Sequence, residues 1–120
     1  MGAKRIQSTY YVVRDMERAL TFYRDVVGLA LKFQDRDRWA QFDVGGAALA
    51  LSSPAEGAVA PGGGAVVTLE VDNLEATARS LAVQGVETVR PMRDMGTHGK
   101  TMVIRDPDGN VVQLYQRAPK

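Results

Sequence analysis

The side chains able to do chemistry in this chain of 120 residues are few, and their types restrict what they can do. There is one histidine, His98, and no cysteine, so neither a Cys-His pair nor a multi-histidine metal site can be assembled. Disulfides and thiolate nucleophiles are excluded with them. Ser-His-Asp can be composed from the residues present, but no Gly-x-Ser-x-Gly elbow exists to present the serine. The paired carboxylates Asp106 and Asp108 flank Pro107 and precede Gly109, which is turn chemistry rather than glycosidase chemistry. Gly62-Gly63-Gly64 opens a strand, whereas a phosphate cradle needs the amides of a helix N-terminus. That leaves Glu70 as a general base, if its strand faces a sheltered cavity, and His98 as a hydrogen-bonding group on the Gly96–Gly99 loop. Each also has a plainer reading: Glu70 as the partner of a nearby arginine, His98 as an exposed loop residue.

The elements that position these residues follow from periodicity. Ser8–Val13 is a β-branched and aromatic strand. Asp15 caps a helix over Met16–Val27, where Met16, Ala19, Leu20, Tyr23 and Val27 recur at helical spacing and Gly28 is the stop. Strands follow over Leu29–Gln34, Trp39–Val44 and Ala47–Ser52, with turns at Arg36-Asp37-Arg38 and Gly45-Gly46. Residues 53–64 hold two prolines, several alanines and three final glycines, and read as a linker. Beyond it come a strand over Ala65–Val71, a helix Leu74–Gln84 capped by Asn73 and ended by Gly85, and strands over Val86–Pro91, Lys100–Arg105 and Val111–Gln116. Asp106–Gly109 joins the last two as a hairpin. Pro107 presets the first corner and Gly109 supplies positive φ on the way out.

The second half repeats the first. Val13-Arg14-Asp15-Met16-Glu17 superposes on Val71-Asp72-Asn73-Leu74-Glu75 at a constant offset of 58 residues, and Gly28 matches Gly85 after a one-residue deletion. Ala48-Leu49-Ala50-Leu51 aligns with Val111-Val112-Gln113-Leu114. Each half is a β-α-β-β-β unit, one over 6–52 and one over 65–118, too small alone for a sufficient core. The two are therefore expected to form a single domain over 1–120. A hydrophobic fraction of 45%, a charged fraction of 24% and a net charge of +1 suit a globular protein and give no electrostatic case for nucleic acid or an anionic membrane. No apolar run is long enough to span a bilayer and no signal peptide opens the chain; the lack of cysteine fits a cytoplasmic protein.

A repeated βαβββ unit with these marks resembles the vicinal oxygen chelate superfamily, which includes glyoxalase I, bleomycin-resistance proteins and extradiol dioxygenases. The marks are Val13-Arg14-Asp15, Ala19–Tyr23 and Val27-Gly28 in the first half, then Val71-Asp72, Gly85-Val86 and Asp106–Asn110 in the second. The resemblance implies an α+β fold of curled mixed sheets around a cup, with helices outside, and commonly a homodimer. It also implies a divalent metal held by four side chains, which fall here on Ser8, Ala50, Val66 and Gln113. Ala50 and Val66 have no donor atom, and a catalytic site of this kind needs about three strong nitrogen or oxygen ligands. Neither a metal nor another cofactor is therefore expected.

If Ser8 faces the cup, strand alternation brings Tyr10 in with it. The same rule places Ala50, Thr68, Glu70, Gln113 and Tyr115 inside, with Trp39 and Gln41 from the third strand; the face of Lys100–Arg105 stays open. Rings, small alanines and a few polar groups suit an aromatic or amphipathic small molecule. Trp39 has a second reading as a dimer contact, and Gln113 as an amide bonding across the cup. The expected function is metal-independent small-molecule binding of the bleomycin-resistance type, sequestering an antibiotic or metabolite. The alternatives are a metal-free isomerase, epimerase or cyclase working through Glu70, His98 or Tyr115, or a metalloenzyme with displaced ligands.

Overall fold

Two helix caps and two parallel strand pairs set the frame. Asp15 accepts the Arg18 N–H at 3.2 Å and Asn73 accepts the Ala76 N–H at 3.0 Å, so each cap satisfies a helix-end donor that would otherwise lack a partner. The computed structural model describes Gly2, Lys4 and residues 6–119. It divides the chain into two compact units, Met1–Gly63 and Gly64–Lys120.

The first unit runs β1 (Thr9–Val12), α1 (Met16–Leu20), β2 (Ala30–Asp35), β3 (Trp39–Val44) and β4 (Ala47–Ser52). Its sheet order is β1-β4-β3-β2, with β1 parallel to β4 and the other neighbours antiparallel. The second unit runs β5 (Val67–Glu70), α2 (Leu74–Val83), β6 (Thr88–Asp94), β7 (Lys100–Arg105) and β8 (Val111–Gln116). Its order β5-β8-β7-β6, with β5 parallel to β8, repeats the same plan. Each unit is thus βαβββ, as the sequence repeat requires.

One face of each sheet packs on its helix. In the first unit Tyr23 is the hub: its ring lies 6.2 Å from Tyr11, 6.2 Å from Phe42 and 5.0 Å from Phe22. In the second unit the buried set is aliphatic, with Leu74 and Leu81 of α2 against Ile104, Val112 and Leu114. Gln116 extends this face and accepts the Leu74 N–H at 2.7 Å, tying β8 to the start of α2.

The two largest departures from the sequence expectation lie in the first helix and in β6; β5, expected over Ala65–Val71, spans only Val67–Glu70. The helix predicted over Met16–Val27 is α-helical only to Leu20, then widens into a π-helical turn over Thr21–Val26. A wider turn separates successive side chains by a smaller angle, so the adjacent rings of Phe22 and Tyr23 are both buried, edge to face at 86°. Strand β6, expected to stop at Pro91, continues to Asp94. It is the edge of its sheet, where a proline costs no ladder hydrogen bond if its nitrogen points outward.

The Asp106–Asn110 hairpin turn is tighter than turn propensity alone requires. Asp106 accepts the N–H groups of Asp108 at 2.9 Å and Asn110 at 2.8 Å, and the Asn110 side-chain amide at 2.9 Å. Gly109 takes φ 88°, and both Asp106 and Asn110 are buried. The turn fixes which side chains of β8 face the helix and which face away.

Candidate functional site

The site is built on the face of the second sheet opposite α2. Paired residues on neighbouring strands point to the same side, so the register gives its rows directly. Thr68, Gln113, Val103 and Arg90 form one row across β5, β8, β7 and β6. Glu70, Tyr115, Thr101 and Arg93 form the next. Arg90 and Arg93 are three residues apart and would face opposite ways in a regular strand. An irregularity in β6 between them restores both to one face.

Against these rows lies a cavity of about 420 Å³, within the size range of small-molecule pockets. Gln113, Val103 and Thr101 line it from the sheet, and Arg90, Pro91, Met92, Arg93 and Met95 from the edge strand and the turn after it. Gln113 donates from Nε2 to Thr68 Oγ1 at 3.2 Å, which orients the amide and leaves its carbonyl oxygen as an acceptor. Glu70 is exposed and pairs with Arg117 at 3.2 Å, so the shelter that would make it a general base is missing. His98 is exposed at the end of a single 3₁₀ turn, Gly96–His98. That turn is tied down by Asp94, which accepts the Gly96 N–H at 2.8 Å, and by the Met95 N–H, which reaches the Gly99 carbonyl at 2.8 Å. Tyr115 packs against Gly99, where a side chain would overlap the ring and the Gln116 carbonyl.

The first sheet gathers the other sequence candidates on its own helix-free face. Tyr10, Ala50 and Gln41 share a row, with Val12, Ser52 and Trp39 beside them. The Tyr10 and Trp39 rings lie 5.5 Å apart at 58°, and Trp39 Nε1 donates to Gln41 Oε1 at 3.2 Å. The linker covers part of this face. Ala58 N–H donates to the Tyr10 hydroxyl at 3.1 Å, and a Cβ on Gly57 would stand 2.5 Å from Val12 Cγ2. Ala50 and Ser52 are completely buried. Trp39 and Tyr10 are thus engaged within their own unit, and of the nine ligand candidates read from sequence only Gln113 lines the cavity.

Sequence reasoning missed Arg90, Met92, Arg93 and Met95. Met92, Arg93 and Met95 lay beyond the strand expected to end at Pro91, and no periodicity announces the irregularity that turns both arginines one way. The signal present was the Arg90–Arg93 spacing itself, with a methionine after Pro91.

The four positions implied for a divalent metal do not fit one. In the first unit Ser8 is a neutral hydroxyl just before β1, and Ala50 offers only methyl. In the second, Val66 precedes β5 and has no donor atom, and Gln113 offers a single neutral amide oxygen. Among the described residues, no three His, Cys, Asp or Glu side chains lie close enough to hold an ion together.

The model of the glyoxalase/bleomycin resistance protein/dioxygenase superfamily matches residues 5–114. The chain belongs to this superfamily. Among solved structures of the glyoxalase-like fold, TnmS3, an antibiotic-binding protein from Streptomyces sp. CB03234, is 29% identical over 98% of this chain and 99% of its own, with a TM-score of 0.74. A superfamily member from Sphaerobacter thermophilus DSM 20745 is 24% identical over 96% of this chain and 98% of its own, with a TM-score of 0.80. A protein of Mycolicibacterium smegmatis is 24% identical over 115 residues, 96% of each chain. No described helix of this superfamily member is long and apolar enough to cross a membrane.

Proposed function

We propose that this superfamily member binds a small molecule without a metal, against the helix-free face of its second sheet, and sequesters it unchanged. The observation that carries the reading is the pairing of donor-poor side chains at the metal positions with an open cavity beside Gln113. Ala50 and Val66 cannot ligate anything, whereas Gln113, Thr101 and the apolar wall of Val103 and Met92 can hold an organic ligand through hydrogen bonds and contact. The similarity to the antibiotic-binding protein TnmS3 supports an antibiotic as the class of ligand. On this reading the protein acts in the cytoplasm, which its lack of cysteine fits, and as a homodimer, which its family resemblance implies. The exposed Glu70–Arg117 pair weighs against acid–base catalysis on the same face.

The test is a thermal-shift screen of aromatic natural products, followed by recovery of each hit after incubation. A ligand at a hundredfold excess over its Kd stabilises the protein by about 2.7 kcal/mol. The expected result is a melting shift that chelator leaves unchanged and a compound recovered intact. Conversion of the compound, or loss of the shift in chelator, would overturn the proposal.

A further inference from the structure

The charge around the cavity is one-sided. Arg90 and Arg93 line it, and no lining residue is acidic. The one carboxylate on the same sheet face, Glu70, is held by Arg117 at 3.2 Å. Glu87 is taken by Arg105, Glu75 by Lys100, and Asp94 by the Gly96 amide. Among the described residues, Arg90 and Arg93 have no carboxylate within ion-pair distance. The irregularity in β6 brings these two guanidinium groups to one face, paired across the strand with Val103 and Thr101. Two planar forks beside an apolar wall of Val103, Met92 and Met95 form a complementary surface for an organic anion, since arginine binds carboxylates and sulfonates through paired N–H groups.

We infer that the cavity selects amphipathic anions: an aromatic body seated on Met92, Met95 and Val103, with a carboxylate or sulfonate-like group held by Arg90 and Arg93. This deepens the binding role proposed above and rests on it. The methionines supply adaptable, polarisable contact for a flat ring system, and the arginines fix its charged end. Gln113 meets a third polar group of the ligand from the sheet floor.

Two fluorescent probes with the same ring skeleton separate the inference from the underlying reading. One is 1-anilinonaphthalene-8-sulfonate; the other is neutral N-phenyl-1-naphthylamine. The sulfonate is expected to bind about 10-fold more tightly, the equivalent of one charge-assisted hydrogen bond, and to weaken as salt rises. Arg90→Gln with Arg93→Gln should remove that preference while leaving the neutral probe within about 2-fold, because the apolar wall is intact. Thr101→Trp, which fills the cavity from a strand position that accepts an aromatic, should block both probes. Circular dichroism of each variant verifies folding. If both probes bind equally and Thr101→Trp blocks both, the cavity is the ligand site and the anion preference is wrong. A sulfonate preference that survives the double arginine variant also overturns it. If Thr101→Trp blocks neither probe, the site assignment itself fails and the inference falls with it.

Discussion

Asp106 accepts three hydrogen bonds with its two oxygens in a site only 5% exposed. Removing that carboxylate leaves two buried backbone N–H groups and an amide without their acceptor. Asp106→Ala should therefore cost about 2–4 kcal/mol, read from the midpoint of urea unfolding. Gly99 is a second fixed point. Its φ is 89°, and any Cβ would overlap the Gln116 carbonyl and the Tyr115 ring. Gly99→Ala is expected to cost at least about 2 kcal/mol in the same measurement, more than an ordinary exposed glycine substitution. The two differ in how they could be known beforehand. The Asp106–Gly109 turn is legible because proline, aspartate and glycine each impose their own backbone geometry. The demand on Gly99 comes from a ring on a neighbouring strand, which no local pattern records.

Among the elements, those bounded by strong local signals are legible to the residue. Strands β3, β4, β7 and β8 have the limits that their alternation and flanking turns predict, and both helix caps are where Asp15 and Asn73 place them. The rest required tertiary information. The helical spacing of Met16, Ala19, Leu20 and Tyr23 leaves Phe22 off the buried stripe, yet the π-helical turn buries it to 5% exposure. Phe22→Ala is expected to cost about 3–5 kcal/mol by urea unfolding, because the truncated ring leaves a cavity beside Tyr23. Val26→Ala, at a half-buried position on the same turn, should cost clearly less. Strand β6 makes the complementary case. Its arginines are exposed on an edge, so Arg90→Gln and Arg93→Gln should each change stability by less than about 0.5 kcal/mol. Loss of ligand binding in these variants would then report on contact rather than unfolding.

For the molecule as a whole, the internal repeat and the Asp106–Asn110 turn were sufficient to point to the superfamily, and the match over residues 5–114 establishes membership. The same fold carries many chemistries, so function has to be argued from the side chains on it. Gln113 was legible because the family motif and the Asp106–Asn110 turn set which residues of β8 point away from the helix. The sequence could not locate the cavity wall, which depends on an irregular edge strand and on which way two arginines turn. The two units also differ in a way their shared plan hides. The helix-free face of the first sheet holds the Tyr10–Trp39 pair and is partly covered by its own linker, whereas that of the second carries the arginines and the cavity. The most direct measurement is native mass spectrometry of the protein purified without chelator. Metal-free binding predicts a homodimer whose mass shows no stoichiometric divalent metal, with or without a carried-over organic ligand. One divalent ion retained per chain would contradict it.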